Sequence, residues 1–137
     1  MQQQNLVLIL ARELADKLAT PMWVVGQDGR LLYFNEGAAD TLGMSFGEAG
    51  HITVDRLAAE FKPTDADGNP LGLWELPLGV ALREHQPAHG VFQVTDREGV
   101  SRSIAATAIP LFAHPSQFVG AVAIFWEAPV AAAKGVG

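Results

Sequence analysis

The chain is expected to fold as an α+β domain: a five-stranded antiparallel sheet with short helices on one face and an N-terminal cap helix. Three observations lead there. Residues 21–39 read as strand, Asp-Gly turn, strand and asparagine-capped helix. Residues 36–84 then hold three or four short helical stretches, punctuated by glycine, proline and a polar loop. From Gly90 onward three strand-like runs follow one another with only short turns between them. Strands at both ends of the order and helices in the middle suit one sheet with its helices gathered together.

The first element is a helix over residues 5–19. Val7, Leu10, Leu14 and Leu18 recur at spacings of three and four, with Arg12, Glu13, Asp16 and Lys17 largely off that stripe. Leu6, Leu8 and Ile9 make its first two turns apolar nearly all round, so it needs more than one partner. Thr20-Pro21 ends it, because the residue before proline is pushed out of the α region. Strands follow at about 22–26 and 30–34. Asp28-Gly29 between them signals a hairpin with a primed turn, whose positive φ glycine supplies without strain. Asn35 precedes a helix from Glu36 to Leu42 and is expected to cap it by accepting an orphan backbone N–H. Gly43 is the expected stop.

Ser45-Phe46-Gly47-Glu48 fits a capping box for a further turn of helix. Thr53 to Phe61 is a third helical piece, with Leu57 and Phe61 one turn apart. Pro63 to Pro70 is a polar loop, and Trp74 to Glu84 is a helix that tolerates Pro77 in its first turn. Strands at Gly90–Thr95 and Ser101–Leu111 flank the hairpin loop Asp96-Arg97-Glu98-Gly99. Pro110 must face an edge or a bulge, since it cannot donate to a ladder. Phe118 to Trp126 is an almost unbroken apolar run, expected at the centre of the sheet with both faces covered.

Composition narrows the function. Of 137 residues 49% are apolar and 18% charged, which suits one globular domain with a genuine core. A net charge of −6, with no basic run, argues against nucleic acid as a direct partner. The absence of cysteine excludes disulfides, thiolate metal sites and a cysteine nucleophile. No apolar run approaches the roughly 18 residues a membrane span needs, and no export signal is visible, so a cytoplasmic protein off the membrane is expected.

The order of short motifs resembles a PAS domain, the sensory and dimerisation module of signalling proteins. The matching pieces are Asp28-Gly29-Arg30 with Asn35, Leu42-Gly43, Leu76-Pro77-Leu78 with Ala81-Leu82, Arg97-Glu98-Gly99, Ile109-Pro110-Leu111 and Val119-Gly120-Ala121-Val122. The resemblance covers residues 21–127. It divides the chain into a cap and dimerisation helix at 1–20, a PAS-like domain at 21–127 and a flexible tail at 128–137. It implies ligand binding or homodimeric protein–protein interaction, in signal transduction or transcription regulation, rather than catalysis. PAS domains that drive an attached output domain commonly finish with an Asp-Ile-Thr-like motif. Here those positions read Glu127-Ala128-Pro129 and eight residues follow. The expectation is a module with no covalent output domain, read out by another molecule or through oligomerisation.

Several patterns suggest other chemistry and fail on context. Gly43-Met44-Ser45-Phe46-Gly47 matches a hydrolase nucleophile elbow, but that turn needs a strand before the serine and here a helix precedes it. Asp65-Ala66-Asp67-Gly68-Asn69 matches the start of a calcium loop, yet Pro70 stands where glycine is required and Leu76 where a bidentate glutamate is required. His51, His85, His89 and His114 form no helical pair, so no metal site is expected. A haem-binding PAS domain usually carries its axial histidine inside the helix before the third strand. His85 falls at the very end of that helix, where it should point to solvent, and His89 falls in the following loop. Haem is therefore not expected, and flavin photochemistry through a cysteine adduct is impossible. The identity of any other cofactor stays open.

The remaining candidate is an apolar pocket between sheet and helices. Strand alternation, with the register the resemblance supplies, places Trp23, Val25, Leu32 and Phe34 on one face. Leu57 and Leu82 approach from the helices, and Phe92 and Val94 from the third strand. The plainer account is that these eight residues are simply core. Ala105, Ala106, Ala108, Ala121 and Ala123 leave room on one face or the other. A homodimer through Leu6, Ile9 and Leu10 is expected, with a small apolar or aromatic ligand or a signalling protein as further partners. The alternative class is a small α+β cone-fold enzyme, an isomerase or lyase with Asp40 and His51 as acid and base in an apolar cavity. A third is a stand-alone regulator docking on a kinase or transcription factor without a ligand.

Overall fold

The computed structural model describes residues 6–42, 53, 55–56, 62–95 and 99–128. The Ser45 turn, Leu57, His51, most of the helical piece over 53–61 and the tail beyond Ala128 lie outside the described residues. Helix α1 (Leu6–Lys17) leads into strands β1 (Met22–Gly26) and β2 (Leu31–Phe34), then helix α2 (Glu36–Leu42). A 3₁₀ turn at Leu73–Glu75 precedes helix α3 (Pro77–Glu84), and strands β3 (Ala88–Thr95), β4 (Ser101–His114) and β5 (Gln117–Glu127) follow. The strands form one antiparallel sheet in the order β2-β1-β5-β4-β3. The apolar run of β5 is thus central, as its composition requires.

β4 is three residues longer than its hydrophobic run suggests, because His114 still pairs with Gln117 across the tight turn. Pro110 pairs with Ala121 of β5, while β3 reaches only as far as Ala108. One side of β4 is open at the proline, where a missing N–H breaks no ladder. The polar loop at 63–70 protects the outer edge of β3. Thr64 and Gln93 exchange both backbone hydrogen bonds at 2.9 Å, which occupies part of an edge that would otherwise be free to pair with another chain.

The β1–β2 turn differs from the expected primed turn. Gly29 takes φ +83°, but Asp28 does not share the positive φ that a type I′ turn demands of both central residues. Instead Gly29 N–H donates to Gly26 O and Gly26 N–H to Arg30 O, while Asp28 Oδ1 accepts from Arg30 N–H at 3.0 Å. The register then slips. Trp23 faces Phe34 and Val24 faces Tyr33, but Val25 faces Leu31, so Leu32 is an extra, bulged residue.

Two apolar layers result. On the inner face α2, the 3₁₀ turn and α3 close over Val25, Leu31, Phe34, Ile104, Phe125 and the sheet's central alanines, with Leu73, Leu78, Ala81 and Leu82 packing down on them. Gly79 of α3 lies so close to the Leu73 backbone that any side chain there would collide, which lets the two helical pieces stack. On the outer face α1 packs through Ala11 and Ala15 onto Met22, Val24 and Val122, with Leu8, Leu18, Leu32 and Tyr33 around them. The stripe of Val7, Leu10, Leu14 and Leu18 meets the sheet only in part: Leu18 packs there. Leu10 and Leu14 are exposed, and the small residues one position on make the contact.

Candidate functional site

One side chain ties the two layers together. Asn35 is 2% exposed and uses its whole amide. Oδ1 accepts from Ala38 N–H at 3.0 Å, the expected cap of α2, and also from Met22 N–H at 3.1 Å. Nδ2 donates to the carbonyls of Ala15, Leu18 and Thr20 at 2.9–3.1 Å. These last three are acceptors at and after the end of α1, where carbonyls run out of intrahelical partners; Ala15 O also accepts from Leu18 N–H at 3.1 Å. The sequence pattern marks the cap. It carries no signal for the three carbonyls, which come from 15 to 20 residues upstream.

Of the eight expected pocket residues, six gather on the inner side: Trp23, Val25, Phe34, Leu82, Phe92 and Val94. Leu57 lies outside the described residues. Leu32 is a correction: the bulge turns it outward against α1 and puts Leu31 inward in its place. A one-residue slip of this kind reverses the face of a strand residue without changing the composition that alternation reads. The alanines also resolve into faces. Ala106, Ala108, Ala121 and Ala123 are all inward, with Ala108 directly opposite Ala123 at the centre of the sheet. Ala105, between Val91 and Trp126, belongs to the outer face. The inner floor is therefore four methyl groups ringed by Trp23, Phe34, Phe92, Phe118 and Phe125. Trp23 meets Phe125 edge to face, centroids 5.5 Å apart. Its indole Nε1 is buried and finds no acceptor among the described residues.

The outer side holds a cavity of about 420 Å³ between α1 and the β1–β2 pair, lined by Leu8, Ile9, Arg12, Asp16, Leu32 and Tyr33 among others. The Arg12 guanidinium lies 4.8 Å above the Tyr33 ring, and the Tyr33 hydroxyl donates to Asp16 Oδ1 at 3.0 Å. Partial burial, then the carboxylate acceptor, holds the Tyr33 phenol above its ordinary value of 10.0. This groove was not visible as a pattern, since its residues come from a helix face and a bulged strand.

Apolar surface also remains open on the outer side. Leu6, Leu10 and Leu14 stand 65%, 58% and 54% exposed along α1, and Ile9 borders the cavity. Beyond α1, Val91, Ala105 and Trp126 form a row across β3, β4 and β5, and Ile109 stands opposite Val122. Val91, Trp126 and Ile109 are exposed.

The histidines fall apart in space. His85 caps α3 in the left-handed conformation and is exposed, but it is not free in solvent: its ring stacks on Phe118 with centroids 3.9 Å apart. His89 lies in β3, not in a loop, with Nδ1 2.7 Å from Thr107 Oγ1. Asp65 is held below the usual carboxylate range chiefly by Asn69, whose backbone and side-chain amides both donate to it. That turn satisfies its own carboxylate. Among the described residues no group of three potential metal ligands occurs, and no helix is long and apolar enough to cross a membrane.

No model of a known protein family matches the chain, and no curated protein does. Solved structures match it over most of its length. The PAS domain of BvgS from Bordetella pertussis superposes with a TM-score of 0.63 at 19% identity, covering 94% of this chain and 93% of that one. The PAS domain of the fruit-fly ELK potassium channel gives 0.70 at 13% identity, over 90% and 98% of the two chains. The PAS domain of nitrogen regulation protein NR(II) from Vibrio parahaemolyticus gives 0.61 at 12%, over 87% and 98%. The chain has the PAS fold, as the order of its short motifs implied.

Proposed function

We propose that the chain is a non-catalytic PAS-type sensory module that works as a homodimer in the cytoplasm and passes its state to a signalling partner. The observation that carries this reading is the outer apolar surface. Leu6, Leu10 and Leu14 stand exposed on α1, beside a half-open sheet face bearing Val91, Ile109 and Trp126. Single exposed leucines need no explanation, but a stripe next to a patch is the mark of an interaction surface. A two-fold pairing that lays each stripe on the other copy's open face covers both, at about 1.5–3 kcal/mol for each side chain fully buried. The same surfaces could serve a signalling protein alone, but self-complementarity of stripe and face favours a second copy. Asp40 is solvent-exposed on α2, which speaks against the acid–base pair of the enzyme alternative.

Sedimentation velocity tests the dimer. The wild type is expected at twice the chain mass and the double variant Leu10→Glu, Leu14→Glu as a folded monomer. A wild type that stays monomeric at high concentration, or a double variant that stays dimeric, contradicts the reading.

A small-molecule site is favoured by a separate observation, the four-alanine floor ringed by aromatic side chains beneath α2 and α3. Small side chains at the centre of a sheet suit a flat apolar or aromatic ligand, for which Leu73, Leu78, Ala81 and Leu82, now packed on those alanines, would have to give way.

A further inference from the structure

The outer groove between α1 and β2 owes its width to the bulge. Tyr33 faces outward beside Val24, and the extra residue Leu32 also turns outward, so two consecutive side chains of β2 look toward the helix. In a regular strand they would lie on opposite faces. Bulges re-aim side chains in this way beside functional sites. The resulting cavity of about 420 Å³ falls within the roughly 300–1,000 Å³ of small-molecule sites. Its floor is apolar, made by Leu8, Val24 and Leu32. Leu10 and Leu14 stand on the flank of α1 away from Arg12 and Asp16, so pairing two copies through those leucines does not use the groove.

The charges around this groove divide into a satisfied set and a free set. Asp16 accepts from the Tyr33 hydroxyl at 3.0 Å and lies 3.7 Å from Lys17 Nζ. The Arg12 guanidinium is held over the Tyr33 ring, yet its N–H groups meet no acceptor among the described residues. Glu13 also lines the cavity and makes no hydrogen bond or ion pair among those residues. Arg12 and Glu13 are consecutive on the helix and do not face each other, so they do not cancel. Glu36 of α2, whose charge also reaches Tyr33, is exposed. We propose that the groove binds an α-amino acid with an apolar side chain: Arg12 donates to its carboxylate, Glu13 accepts from its ammonium, and the side chain lies on Leu8, Val24 and Leu32. A lone anion would meet Arg12 but also the carboxylates of Glu13 and Asp16. A lone cation would meet Glu13 but also Arg12. A neutral apolar molecule would use the floor while stripping water from both free charges. A zwitterion meets each charge with its opposite, at an exposed rim where both of its heads keep part of their water. Because Arg12 and Glu13 are neighbours in the chain, the ligand's two charges must lie close together, as they do in an α-amino acid. The site is on the opposite side of the sheet from the alanine floor and does not depend on a ligand there.

Probes built on one carbon skeleton separate the contributions. Leucine carries both charges, isocaproate lacks the ammonium, and isoamylamine lacks the carboxylate. Tyr33 is the only tyrosine in the chain, so protein carrying isotope-labelled tyrosine gives ring resonances from this groove alone. Each probe is titrated into the full chain at neutral pH and followed by those resonances and by calorimetry. The expected result is that leucine shifts the Tyr33 resonances and binds about tenfold more tightly than either analogue. Glu13→Gln should abolish the preference for leucine over isocaproate, and Arg12→Gln the preference over isoamylamine. Either analogue matching leucine on wild type overturns the proposal, as does a preference that survives in its variant. Tyr33 resonances that stay in place up to the solubility limit of leucine overturn it as well, whether calorimetry then shows no binding or binding elsewhere. The comparison of probes uses wild type alone, so the test holds even if a variant folds poorly.

Discussion

Asn35 takes part in five side-chain hydrogen bonds across three elements, so its removal should cost more than the loss of a helix cap. A cap alone is worth about 0.5–2 kcal/mol. Asn35→Ala also strands the N–H of Met22 and acceptors at the end of α1 in a largely buried setting, so a loss of about 2–4 kcal/mol is expected. Asn35→Asp should not restore it, because a carboxylate accepts from Ala38 and Met22 but repels the three carbonyls. Urea unfolding of both variants checks this; an Asn35→Ala loss confined to the cap range would mean that the carbonyl contacts contribute nothing. Tyr33 offers a second residue-scale test, since it is the only tyrosine in the chain. Its phenol is raised by burial first and by Asp16 second, so its absorbance titration should have a midpoint above 10.0. Asp16→Asn should lower that midpoint. A raised phenol favours the folded state's protonated form, so this contribution to stability is fully present below the unfolded value near 10.0 and is lost as pH rises from there through the higher folded-state value.

Helix α1 illustrates what periodicity reads and what it does not. Hydrophobic spacing weights large side chains and therefore selects Val7, Leu10, Leu14 and Leu18 as the buried stripe. The sheet selects Ala11 and Ala15, because only small side chains let the helix backbone come close enough for Asn35 to reach the Ala15 carbonyl. Ala15→Leu should consequently cost about 1–3 kcal/mol through overpacking, although leucine is more hydrophobic than alanine. A neutral or stabilising result in thermal unfolding would show that the close approach is not required. The strands were more legible than the helix. β1 and the central β5 declare themselves through dense apolar runs and turn residues, and Pro110 fixes where β4 runs past its neighbour. The face of Leu32 was not legible, since the bulge that turns it outward arises from the geometry of the Gly26–Arg30 turn rather than from any pattern within β2.

For the molecule as a whole, the order of turns, caps and strands was enough to indicate a PAS arrangement, because each short motif is tied to a fixed place along the chain. The candidate site was legible only in part. Six of its residues follow from alternation on β1, β2 and β3 and from the α3 stripe. The alanine floor could not be assigned to a face until the β4–β5 register was known, and the unpaired indole is a property of packing that no linear pattern records. The central claim is the proposed dimeric sensor, in which outer leucines would pair two copies and a small apolar or aromatic molecule would bind on the inner side. Native mass spectrometry of the purified full chain reads both properties at once. The account predicts a species of twice the 14.6 kDa chain mass, with a further mass increment that gentle activation removes. A monomer at every concentration, with no increment under any of these conditions, would contradict it.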